Sequence, residues 1–137
     1  MRRLDRRGAV AFEFVIVAAA LFTLVFAIFD LGRYLITMQS LRALASAGAR
    51  TIMMDDCYVN NVIKKQAPSG CPVDPLSAAE KQEIAPFLYA GGLTPTLSAP
   101  GGASPITVTA SQPSFAMIMP IWGSSFNAPS ASTQIPY

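Results

Sequence analysis

Hydrophobic and polar positions divide this chain into regions with different periods. From Ala9 to Phe29 the sequence AVAFEFVIVAAALFTLVFAIF runs for 21 residues, interrupted only by Glu13 and Thr23. At the helical rise of 1.5 Å per residue such a segment spans about 30 Å, the thickness of a bilayer core, so the pattern predicts a transmembrane helix. After Asp30 the pattern becomes amphipathic. Leu31, Leu35, Met38, Leu41 and then Leu44 or Ala45 recur at three- and four-residue spacing, while Arg33, Gln39, Arg42, Ser46 and Arg50 fall largely on other faces. No Pro precedes Pro68. The prediction is therefore one continuous helix from about Ala9 to about Met54, roughly 70 Å long. Within it, Ala43 to Ala49 (ALASAGA) is nearly all small, which lets another backbone approach closely. That neighbour is either the chain's own later domain or another subunit.

Beyond the helix the period is lost. Asp55 to Pro75 is polar and turn-rich and holds both cysteines, Cys57 and Cys71. Residues 76–89 (LSAAEKQEIAPFLY) predict a short helix, with Ser77 as N-cap, Glu80 at the capping-box spacing and Pro86 as the stop. Ala90 to Ser104 is rich in Gly and Pro and reads as a loop. Ile106 to Ala110 alternates apolar and polar and predicts a half-buried strand. Ser114 to Met119 is its expected antiparallel partner across Gln112-Pro113, and Ser130 to Ile135 is a weaker third strand. The fold class expected is α+β: a long N-terminal helix, transmembrane and then amphipathic, packed on a small antiparallel sheet.

Charge gives this layout a direction. Residues 1–8 (MRRLDRRG) carry four Arg against one Asp, a net of +3, and the other 129 residues carry a net of −1. A basic cluster just before the one apolar span keeps the N-terminus in the cytoplasm and sends the C-terminal part across the inner membrane. A cleaved secretory signal would have a shorter apolar core and a small-x-small site. Here the run ends in Phe29-Asp30-Leu31-Gly32-Arg33, and a twin-arginine signal fits poorly with Glu13 in the apolar segment. Four regions follow: a basic leader (1–8), a membrane helix (9–29), its continuation (30–54) and a small domain (55–137). If that domain lies outside the cytoplasm, a Cys57–Cys71 disulfide is its natural state. It would close a loop of about 15 residues and contribute roughly 3 kcal/mol in the loop-entropy model.

Composition removes several classes of function. Only 13% of residues are charged, about half the usual share for a soluble domain. There is no His, so Ser-His-Asp and Cys-His catalysis are absent. Two Cys do not make a structural zinc site, no Gly-rich phosphate loop occurs, and no cofactor is expected. A formal charge of +2 does not suggest a nucleic-acid partner. The acidic residues Asp55, Asp56, Asp74, Glu80 and Glu83 read as a solvated surface, and an enzyme is not expected. Residues 84–137 hold no charged side chain at all. Glu13 stands out, because a carboxylate costs about 2.5–3.5 kcal/mol at the centre of a membrane helix and less near its end. It either snorkels to the interface or meets a partner charge inside the membrane.

Arg6-Arg7-Gly8, then Ala9-Val10-Ala11-Phe12, then Glu13-Phe14 and the long apolar run resemble the class III signal of type IV pilin-like proteins. The Glu-Phe pair is similar to that of the Flp/Tad branch. Phe29-Asp30-Leu31-Gly32-Arg33 and Ala47-Gly48-Ala49-Arg50 resemble the corresponding stretches of TadE-like minor pilins, of TadE or TadF type. The resemblance covers about residues 6–54. It implies a type IV pilin-like fold and cleavage by a prepilin peptidase between Gly8 and Ala9, leaving Glu13 as the fifth mature residue. Glu13 would then pair with the Ala9 amine of an adjacent subunit and set axial register, with Phe14 beside it. An extended backbone at Gly8 would admit the protease. The partners implied are the peptidase, the major pilin and a second minor pilin, the inner-membrane assembly platform and membrane lipid. The activity implied is assembly of a Tad (Flp) pilus for adhesion and biofilm formation. The alternatives are a pseudopilin of a type II secretion or general type IV pilus system, and an unrelated single-pass envelope protein.

Overall fold

The structure, a computed structural model of the chain, describes residues 6–102 and 105–136. Most of the basic leader, the end of the predicted loop at Ala103 and Ser104, and Tyr137 lie outside the described residues. Helix α1 runs unbroken over Arg6–Met54, 49 residues. It contains no Pro, and its runs of Ala, Leu and Met are good helix formers. It stops at Asp55, whose carboxylate accepts from the Cys57 N–H and so opens a second helix, α2, over Asp56–Ile63. The segment expected to be all turns therefore contains a short helix. Eight residues with no long apolar period carry too little signal to be seen without the cap.

Helix α3, Ala78–Ile84, begins with the capping box foreseen at Ser77 and Glu80, both halves of which form. It ends before Pro86, and the chain continues in irregular 3-10 turns over Pro86–Gly92. Three antiparallel strands follow: β1 (Thr96–Ser98), β2 (Ile106–Ser111) and β3 (Ser130–Ile135), in the order β1-β2-β3. β1 lies inside the stretch expected to be loop. It is three residues long between Pro95 and Pro100, too short for a period to show. The central strand pairs with β3 from Ile106↔Ile135 to Ser111↔Ser130. Ser114 to Met119 is not a strand, so the weaker candidate is β2's neighbour and the stronger one is displaced.

The core lies between the second half of α1 and the sheet. Ile106, Val108 and Ala110 alternate inward from β2 and meet Leu41, Leu44, Ala45, Ala49 and Ile52 of α1. Leu76, Ala85, Leu88, Leu97 and Ala99 close the edges. Gly48 explains how closely the sheet sits. A Cβ there would lie 3.0 Å from Leu97 Cδ2 and 3.3 Å from Val108 Cγ1. The small-residue stretch is thus used largely within the chain, although Ala43 remains exposed. Below Leu41 the expected stripe is corrected. Leu31 and Leu35 are exposed, and the face that turns toward the domain carries Asp30, Tyr34 and Thr37.

A bond between Cys57 and Cys71 joins α2 to the loop that follows it. Next to it the Tyr58 hydroxyl donates to the Pro72 carbonyl at 2.8 Å and the Ala99 carbonyl at 3.3 Å. Burial, with the Asp55 charge adding to it, raises the Tyr58 phenol above its ordinary value. A second close approach lies nearby: a Cβ on Gly101 would fall 2.2 Å from the Pro68 carbonyl oxygen, so only glycine fits.

Candidate functional site: the open helix and the loop that meets it

The first half of α1 is bare. From Gly8 to Val17 every residue is exposed, and between Ala18 and Phe29 none is fully buried. Phe12, Phe14, Phe22, Leu24, Phe26 and Phe29 all present large apolar side chains to the outside. In water this surface would be very costly to leave uncovered. Mean hydropathy reaches 2.6 in its best window, and this is the one helix among the described residues long and apolar enough to cross a membrane. The chain is compatible with a single-pass membrane protein.

Glu13 sits on this bare surface, and among the described residues it makes no ion pair. Phe14 beside it is 71% exposed. Gly8 and Ala9 are exposed as well, and nothing lies within 4 Å of where a Gly8 Cβ would stand. The backbone there is not extended as expected. It is helical, because α1 already starts at Arg6. Unwinding it is cheap, since the first turn lacks internal acceptors for its N–H groups and Gly is a poor helix former. Gly8, Ala9, Glu13 and Phe14 thus share one exposed helix end, while Cys57 and Cys71 belong to the far end of the molecule and brace the domain.

The residue that sequence reasoning missed is Asp30. It stands directly after the apolar run and is only 2% exposed. Its carboxylate accepts from the backbone N–H of Ile118 at 3.0 Å and of Met119 at 3.0 Å, and from Arg33 Nη1 at 3.3 Å. Two backbone donors and a guanidinium satisfy a buried charge that would otherwise be expensive. The end of the Ser114 to Met119 stretch is thus turned away from the sheet: the Ile118 and Met119 N–H groups go to a carboxylate 88 and 89 residues earlier in the chain. The Arg33 guanidinium lies 5.4 Å from the centre of the Phe115 ring. Tyr34 meets Phe126 edge-on at 5.1 Å, and Phe126 meets Trp122 the same way at 5.8 Å. The Met117 N–H donates to Asn127 Oδ1 and the Ala128 N–H to the Phe115 carbonyl, closing the loop on itself. The only sequence signal for this role was an acidic residue where an apolar stripe should have continued.

Among the described residues no cluster of His, Cys, Asp or Glu could hold a metal ion. Several charged side chains of the domain are engaged in structure. Lys81, largely buried, pairs with Asp74, and Glu80 is held by Ser77. Hydrogen bonds from Ser77, first its side chain and then its backbone, hold the Glu80 carboxyl below its ordinary range.

These features define an α+β protein built on one membrane-compatible N-terminal helix, half open and half covered by a three-stranded sheet. Residues 8–50 match the family model described as TadE-like protein. The likeness is confined to this helix. It ends at Arg50, so the sheet domain lies outside it. No curated protein and no solved structure matches the chain.

Proposed function

We propose that this protein is a TadE-like minor pilin that takes part in assembling a Tad (Flp) pilus used in adhesion and biofilm formation. The observation that carries the reading is the Glu13 carboxylate, without an ion pair among the described residues, on an uncovered apolar helix whose residues 8–50 match the TadE-like family model. In this reading the chain enters the inner membrane with its N-terminus in the cytoplasm and its sheet domain in the periplasm. A prepilin peptidase cuts between Gly8 and Ala9. The cut removes the Arg cluster and creates an amine on Ala9.

That amine and Glu13 suit one another across two subunits. Each is costly alone in an apolar bundle, and pairing offsets the desolvation of both. The pair fixes the axial register of adjacent helices. The partners are other pilin-like subunits and the inner-membrane assembly platform. The protein acts by assembly and not by catalysis. Peptidase cleavage is checked by mass spectrometry of the chain from cells with and without the peptidase. The expected mature chain begins at Ala9, and recovery of an intact leader in peptidase-positive cells overturns the processing step. Glu13→Ala should insert normally and fail to support piliation. Normal pili in that variant reject the register role.

A further inference from the structure

We propose that the loop Met117–Trp122, held by Asp30, is a lipid-contacting wedge that seats the sheet domain on the headgroup boundary of the membrane. The proposal rests on the reading of Ala9–Phe29 as the membrane span, and it concerns a part of the chain outside the family match. Asp30 fixes the position of the loop along the helix. Its carboxylate holds the Ile118 and Met119 N–H groups at the level where the apolar run ends. From there the loop reaches back along the span. Ile118, Met119 and Pro120 share a cleft of about 300 Å³ with Phe26 and Phe29, which belong to the apolar run itself.

The surface of this loop matches a membrane and not water. Ile118, which shares the cleft with the uncovered Phe26 and Phe29, is 73% exposed, and Ile121 three residues on is 59% exposed. No charged side chain occurs anywhere in residues 84–137, so seating the loop in the headgroup region buries no ion. Trp122 is the single tryptophan, of the residue type enriched at membrane–water boundaries. Arg33, one turn past Phe29, keeps 40% of its side chain exposed, which sets the height at which water begins. The lipid surface is continuous around α1 at that height. A loop carrying bare isoleucines against the emerging helix therefore meets lipid first.

Trp122 makes the test direct. The full-length protein is reconstituted, at low copy number per vesicle, in phosphatidylcholine carrying bromine on the acyl chain either near the glycerol or near the chain end. The expected result is quenching of Trp122 by the shallow label, weaker quenching by the deep one, and protection from aqueous iodide. Ile118→Ser with Ile121→Ser should abolish lipid quenching and leave the unfolding midpoint in detergent unchanged, because both side chains are exposed. Iodide quenching without lipid quenching overturns the proposal, as does full lipid quenching in the double variant. Lipid protection that emerges only at high protein-to-lipid ratio assigns the surface to a second copy and also overturns it. Alkaline extraction separates the two readings. A chain that resists extraction but shows no lipid quenching sinks the wedge alone, and a chain that is extracted sinks the membrane span with it.

Discussion

The two halves of α1 are both helical and both carry apolar side chains, yet these have opposite fates. Over Ala9–Phe29 large apolar side chains stand exposed and no residue is fully buried; over Leu41–Ile52 the inward face alternates large with small and is buried under the sheet, while Arg42, Ala43 and Arg50 stay outside. The difference is one of shape as much as of hydrophobicity. At Gly48, between Ala45 and Ala49, the missing side chain leaves room that Leu97 and Val108 fill, whereas Phe12, Phe14, Phe22 and Phe26 project large rings outward. Lipid or a neighbouring helix can adapt to such a surface.

The sharpest way to break this comparison is to truncate one leucine in each half. Leu44→Ala should lower domain stability by about 2–5 kcal/mol, because it opens a cavity in a closed core. Leu21→Ala should leave it within about 0.5 kcal/mol. Denaturant unfolding in detergent, followed by Trp122 emission, reads both, and equal effects would erase the distinction. Next in size is the Cys57–Cys71 bond: its reduction should cost about 3 kcal/mol, seen as a lower midpoint under reducing conditions. Asp30→Asn comes third. It lies at the junction of the halves and replaces a charged acceptor that satisfies two backbone donors and Arg33, a loss of about 1–3 kcal/mol. Its effect should show as faster hydrogen exchange at Ile118 and Met119.

The smallest effect is a pH dependence in the domain alone. The fold holds Tyr58 as the neutral phenol, with its ionisation raised by burial and by Asp55. The contribution is complete below the ordinary phenol range near 10. It is lost as pH rises toward the raised value, because the unfolded chain ionises first. Tyr58→Phe should remove this alkaline step from a plot of midpoint against pH, and a step of unchanged size would assign it elsewhere.

The comparison also shows where sequence patterning carries information. The helix, the Ser77–Glu80 cap and strands β2 and β3 were legible because each depends on neighbours a few positions away. β1 and α2 were not: three residues between prolines and eight residues behind an Asp cap hold too few positions for a period. Leu31 and Leu35 misled because apolarity alone does not say which side a domain will cover. The Asp30 clasp was invisible for a different reason. Its donors are backbone groups in an irregular loop far along the chain, and no residue type marks a backbone N–H as a partner. Glu13 stood out early because a carboxylate in an apolar run contrasts with its immediate neighbours.

The unbroken course of α1 has a mechanical consequence. The domain grips the helix from Asp30 to Ile52, roughly 30 Å of rod at the helical rise, and no proline or non-helical residue interrupts it above or below that grip. There is no joint at which one half could stay still while the other moves. A force applied along the axis at either end displaces the whole chain as a piston. Lifting the apolar half clear of a bilayer would thus require a stroke of about 30 Å by the domain as well. Any machine that moves this protein must give it that much headroom.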